Sequence, residues 1–228
     1  MHPFPARATA RGLPCVVRRL PVTTSRSYAE FFVPEDDVVL SARSRAADLG
    51  CAPVGSGAAA ALHFIAAAIA ARAVVEIGTG AGVSGLALLA GMAPDGVLTS
   101  IDLEAEHQRA AKQAFTEIGV ASTRTRLING RALDVLPRLT DGAYDLVLID
   151  GARTEYPQYV TEALRLLRVG GIVLVNGALA GDKVPDPGQR DADTVAVREA
   201  GKQIRDDENL LPLLLPLGDG VLAAIKKS

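Results

Sequence analysis

The stretch AVVEIGTGAGVSGLALLAGM, residues 73–92, constrains the fold more than any other part of the chain. It opens on a short β-rich run, AVVEIG, in which Glu76 is the only polar side chain, and it passes through glycines into a run of helix formers. An apolar strand of this kind is buried on both faces, which requires helices on both sides of a mainly parallel sheet. The glycines belong to two overlapping signatures. Read from Gly78, an acidic residue precedes G-x-G-x-G (Glu76, Gly78, Gly80, Gly82); read from Gly80, the pattern is G-x-G-x-x-G (Gly80, Gly82, Gly85), a dinucleotide fingerprint.

The rest of the chain supplies the alternation that such a strand demands. Ahead of it, PEDDVVLSARSRAADLG at 34–50 reads as a helix with acidic residues in its first turn and Gly50 as its stop, and a second, alanine-rich helix runs from about 56 to 72. Behind it come a helix at 83–92, a strand at 96–102, a helix at 104–118, a strand at 124–130 and a short helix at 131–139. A strand at 144–150, a helix at 156–168, a strand at 170–177, a loop and a helix at 191–206 follow. The close, LLPLLLPLGDGVLAAIKKS, places Asp-Gly between two apolar runs, which predicts a hairpin. The expected fold is α/β: a mainly parallel sheet with an antiparallel strand at its end.

At 228 residues, 49% hydrophobic and 22% charged, the chain is expected to form one domain over 30–228, with N-terminal helices at 30–72 and a cofactor-binding core at 73–228. Residues 1–29 carry five arginines, no carboxylate and four prolines; they read as a flexible tail rather than a targeting helix. A net charge of −2 gives no basic footprint for nucleic acid, and the longest apolar run, 58–71, is too short for a membrane span. Cys15 and Cys51 form neither a metal spacing nor a disulfide framework, which fits a cytoplasmic setting.

In an open parallel sheet the ligand sits beyond the carboxyl ends of the strands, where the loop 78–82, Asp102 and Asp150 all end. Asp102 is suited to accept hydrogen bonds from a ribose, so both NAD and S-adenosylmethionine meet the pattern. Glu76 separates them: a carboxylate beneath the loop repels a pyrophosphate and attracts the cationic end of S-adenosylmethionine. Ser84, at the start of the next helix, is placed to bind the methionyl carboxylate together with the helix N-terminus. The chain also lacks the length for a separate hydride-acceptor domain. The alternative from these residues is a nicotinamide-dependent oxidoreductase.

Taken together, VVEIGTGAGVSGLAL, GVLTSIDLEAEHQRAAKQAF, NGRALDVLPRL, YDLVLIDGARTEYPQY, LLRVGGIVLVNGAL and LPLGDGVLAAIKK resemble, in order and spacing, the cation-dependent catechol and caffeoyl-CoA O-methyltransferases, over about residues 34–228. The resemblance implies a Rossmann-like methyltransferase fold with a seven-stranded sheet, a cytoplasmic homodimer and a phenol- or catechol-like small-molecule acceptor. It implies that Val54, Glu76, Gly78, Thr79, Ser84, Asp102, Leu103 and Ala132 surround S-adenosylmethionine, with Gly80 in the same loop and Ala132 against the adenine.

The active-site motifs depart from that family. Where it shows Asp, Ala, Asp, Lys after the fourth strand, this chain has Asp150, Gly151, Ala152 and Arg153; where it shows Asp-Asn after the fifth, this chain has Asn176 and Gly177. Asp150 and Asn176 alone make a poor magnesium site, and Asp182 or Asp186 are the next carboxylates in sequence. Arg153 stays protonated and so is no general base; it is suited to stabilise a phenolate, or it pairs with Glu155 or another carboxylate. Asp150 is the expected catalytic residue, as a base for the acceptor hydroxyl or as holder of a weak cation. These departures also motivate a reading as a cofactor-binding protein with little catalysis. Tyr156 and Tyr159 share a helix face, one for the core and one for substrate; His63 reads as a core or interface residue and His107 as solvated.

Overall fold

The computed structural model describes residues 24–228. The helices are α1 (Ser25–Glu30), α2 (Asp37–Asp48), α3 (Ser56–Ala68), α4 (Val83–Gly91), α5 (Ala105–Glu117), α6 (Ala132–Val135), α7 (Tyr156–Leu166) and α8 (Ala192–Asp206). The strands are β1 (Ala73–Ile77), β2 (Val97–Asp102), β3 (Thr125–Asn129), β4 (Tyr144–Ile149), β5 (Leu167–Asn176), β6 (Leu210–Leu215) and β7 (Val221–Lys226). Most of the expected tail lies outside the described residues, but its last part is helical: Thr24 caps α1 by accepting the N–H of Ser27.

The strands form one seven-stranded sheet in the order β3-β2-β1-β4-β5-β7-β6. β1 to β5 are parallel, and β7 runs antiparallel to both β5 and β6. The expected hairpin and antiparallel end strand are therefore present. β5 begins earlier than the expected 170, because Leu167 already pairs with Tyr144 across a register shift ahead of Gly170 and Gly171.

The period of two along each strand sorts the core into two layers. On one face, Val74, Leu98, Leu146, Leu148 and Leu174 pack with α3, α4 and α5; on the other, Val75, Ile77, Val147, Ile149 and Val175 pack with α7 and α8. β4 shows why the strands read as continuous apolar runs: its residues 146–149 are fully buried, alternating between the two layers. Strand order reverses between β1 and β4, so the crevice at their carboxyl ends is the topological switch point. Among the described residues no helix is long and apolar enough to cross a membrane.

Candidate active site

The crevice is made by close approach of backbone. Gly78 follows β1 with φ +94°, and a Cβ there would lie 2.3 Å from the carbonyl oxygen of Asp150, so glycine alone allows the two strand ends to meet. The Gly78 N–H donates to the Ile101 carbonyl and the Asp150 N–H to the Ile77 carbonyl, each at 2.8 Å, which knits the ends of β1, β2 and β4. Above them lies a cavity of about 410 Å³. Val54, Gly78, Thr79, Gly80, Ser84, Asp102, Leu103, Ala132 and Asp150 all line it, so the structure brings these expected residues together.

Asp102, ending β2, is held from two sides. Its Oδ2 accepts the Gly80 N–H at 2.9 Å and its Oδ1 accepts the Glu104 N–H at 2.8 Å, while His107 Nδ1 stands 3.4 Å from Oδ2. His107 therefore faces the crevice instead of bulk solvent; five residues after Asp102, it is turned back toward the strand end by the start of α5. Cys51, in the turn after α2, is a second lining residue that the sequence did not single out.

Glu76 lies under the loop, not in the cavity. Its exposure is 0%; Oε2 accepts the Ser100 hydroxyl at 2.5 Å, the Ser100 hydroxyl oxygen is 2.7 Å from that of Thr79, and Oε1 has no hydrogen-bond partner. Burial pushes its carboxyl up to about 7, against the pull of the Ser100 hydrogen bond. Asp150 behaves likewise: burial raises it to about 7, while the amide of Asn176, donating from Nδ2 to Oδ1 at 2.9 Å, and the charge of Arg153 pull it down. Two carboxyls on neighbouring strands, Glu76 fully buried and Asp150 partly so, are thus both raised to about 7.

Arg153 pairs with Asp219 at 2.7 Å, in the turn between β6 and β7. The Glu155 alternative is corrected: Glu155 takes Arg131 at 2.9 Å and the Tyr159 hydroxyl at 2.5 Å. Tyr156 is core, donating to the Asn176 carbonyl at 3.0 Å, and Tyr159 lines the cavity. His63 is exposed on α3, where the interior contacts are made by Leu62 and Ala66.

The donor set does not fit a divalent cation. Among the described residues no group of three His, Cys, Asp or Glu side chains is placed to hold one. Asp182 stands 3.8 Å from Arg26, and Asp186 accepts the Gly188 N–H of its own turn. The glycine cradle, the lone carboxylate oxygen of Glu76 beneath it and the ribose-ready Asp102 do fit an adenosine ligand with a cationic end.

The O-methyltransferase family model matches residues 41–227. The chain belongs to this family of methyltransferases. An inferred O-methyltransferase of Mycobacteroides abscessus is 53% identical over 208 residues, 91% of this chain and 97% of that protein. A crystal structure of a Corynebacterium glutamicum protein superposes with a TM-score of 0.82 at 34% identity, covering 89% of this chain and 95% of that one. TomG of Streptomyces achromogenes, an O-methyltransferase of tomaymycin synthesis crystallised with S-adenosylmethionine, gives a TM-score of 0.79 at 28% identity over 88% of this chain and 94% of its own. The methyltransferase uses S-adenosylmethionine as donor, and the nicotinamide alternative read from Gly80, Gly82 and Gly85 is set aside by the family match.

Proposed function

We propose that this O-methyltransferase methylates the hydroxyl of a small phenol- or catechol-like acceptor in the cytoplasm, with Asp150 as the base. The observation that carries the reading is a partly buried carboxyl, raised to about 7, opening into the same cavity as the glycine loop. A general base is most effective when its pKa lies near the working pH.

In this reading Asp102 holds the ribose, Leu103 and Ala132 give the adenine an apolar wall, and Ser84 with the N-terminus of α4 takes the methionyl carboxylate. Val54, Thr79 and Gly80 enclose the donor, and Glu76 braces the loop from below through the hydroxyls of Ser100 and Thr79. S-adenosylmethionine supplies an electrophilic methyl group whose carbon–sulfur bond breaks with the electron pair left on sulfur. Asp150 takes the proton of the acceptor hydroxyl, so that the oxygen offers a full pair to the methyl carbon. The remaining contribution of the chain is positioning and exclusion of water.

An aromatic acceptor is supported by Tyr28, Phe31 and Phe32, which are exposed on and just after α1. Glu30 and Arg26 fasten that helix to Gly218, the neighbour of Asp219. A homodimer through β6 is part of the same reading, since Leu211, Leu213 and Leu214 on this edge strand are each at least half exposed.

The test is calorimetric titration with S-adenosylmethionine, followed by methyl-transfer assays on catechols, phenols and hydroxy acids. Saturable binding with catechol or phenol turnover that Asp150→Asn removes is the expected result. Turnover on hydroxy acids alone would replace the acceptor class, and no binding would sink the placement of the donor.

A further inference from the structure

The mismatch between the expected cation site and the residues present has a definite shape. At the end of β5 the chain carries Asn176 and then Gly177, at φ +69°. A Cβ at 177 would lie 2.9 Å from Arg153 Nη2, 3.4 Å from Cζ and 3.5 Å from Nε. The guanidinium therefore lies against the space a side chain at 177 would enter, and the positive φ there favours glycine on its own account. The arginine comes from the segment after β4, three residues beyond Asp150, and its charge acts on the Asp150 carboxyl.

The guanidinium is also held in place. Asp219 uses Oδ2 for Arg153 at 2.7 Å and Oδ1 for the N–H of Gly181 at 2.6 Å, so one carboxylate ties the arginine and the turn after β5 together. Backbone bonds repeat the connection: the Ala178 N–H donates to the Gly220 carbonyl at 3.0 Å and the Leu179 N–H to the Asp219 carbonyl at 2.9 Å. A half-buried guanidinium fixed by a carboxylate is a permanent positive charge of known direction, and it needs no ligand cage.

We propose that Arg153 does the work of a divalent cation in this methyltransferase: lodged against Gly177 and aimed by Asp219, its guanidinium stabilises the acceptor oxygen as an anion beside Asp150. Arg153 is then a catalytic residue that touches substrate, and Asp219 is a positioning residue. The proposal rests on the O-methyl-transfer reading above. Its proton balance is unchanged, since the hydroxyl proton still passes to Asp150 and the guanidinium keeps all of its own.

Two measurements decide it. In the first, Mn²⁺ is titrated into the full chain saturated with S-adenosylhomocysteine, and free Mn²⁺ is followed by electron paramagnetic resonance. Removing the positive charge with Arg153→Gln, or with Arg153→Ala as a second variant, is expected to tighten Mn²⁺ binding at least about tenfold, because Asp150 and Asp219 lose their cationic neighbour. Equal Mn²⁺ binding by wild type and both variants overturns the proposal, as does stoichiometric Mn²⁺ on the wild type that Asp150→Asn releases. Calorimetry of S-adenosylhomocysteine on the same samples reports that each variant is folded, and it separately tests the donor site.

In the second, 4-nitrophenol is added to the wild-type complex and its yellow phenolate is read by absorbance. Bound probe is expected to ionise about one pH unit below the free compound, a tenfold gain in phenolate, with or without EDTA. Asp219→Asn should lose most of that gain and Asp219→Glu should restore part of it. A shift that survives Arg153→Gln, or one that EDTA abolishes, overturns the proposal. Failure of the probe to bind counts against the phenol acceptor, and the Mn²⁺ comparison then decides the role of Arg153.

Discussion

Asp150 and Glu76 end up one strand apart with the same problem, a carboxyl withdrawn from water, and they resolve it differently. Asp150 opens on the cavity and has an amide donor on one oxygen; in its proposed role as base it must be ionised, so kcat/KM is expected to rise with pH up to about 7 and then level off in a pH–rate profile. Asp150→Asn should lower kcat roughly a hundred- to ten-thousand-fold with little change in donor affinity. Glu76 has no access to solvent. In the folded chain it keeps its proton up to about 7, whereas unfolded it releases it near 4.5. Its contribution to stability is therefore complete below about 4.5 and is lost as pH rises through about 7, and raised Asp150 adds to the same trend. Glu76→Gln is expected to flatten that fall, seen as a smaller difference between urea unfolding free energies at about pH 5 and about pH 8. An unchanged slope would show that Glu76 is not the group responsible. Both carboxyls were legible in the sequence because each ends or precedes the end of an apolar strand. His107 and Asp219 were not: one looks like any polar residue on an amphipathic helix, the other like an ordinary turn residue between two glycines.

At the level of elements, α1 shows what periodicity cannot reveal. Six residues with no buried side chain give no apolar pattern, and the helix is held by tertiary polar contacts instead. Glu30 accepts the Gly57 N–H at 3.0 Å and the Gly218 N–H at 2.8 Å, serving the start of α3 and the β6–β7 turn at once. Glycine at 55 and 57 leaves the room, since a Cβ at either would sit within 2.6 Å of the Glu30 carboxylate. Glu30→Ala strips both amides of their acceptor and is expected to cost about 1–3 kcal/mol. The checks are thermal unfolding and the rate of proteolysis within residues 24–33, which should rise. The strands and long helices, by contrast, were readable almost to the residue. Their apolar positions repeat at two or near 3.6, and the glycines, acidic first turns and Asp-Gly turn mark the ends.

For the whole molecule, the alternation of strands and helices was enough to give the sheet type and the end of the sheet that carries the site, because parallel strands leave few topologies open. What was not legible is that α1, the segment after β4, the turn after β5 and the last hairpin meet, which the sheet order and the bonds of Glu30, Arg153 and Asp219 bring about. The exposed leucines of β6 belong to this scale too. An apolar edge strand is a template for another chain, and in the proposed homodimer a second copy covers it by two-fold pairing. Leu213→Lys is expected to turn a dimer into a monomer in light scattering without weakening donor binding; a wild type monomeric at every concentration would remove the dimer. The bond between Arg153 and Asp219 has a further consequence, for the way the molecule comes apart. The Asp219 carboxylate joins the last hairpin to a segment 66 residues earlier in the chain and also holds the N–H of Gly181, so fraying of that hairpin releases the guanidinium and the turn after β5 together.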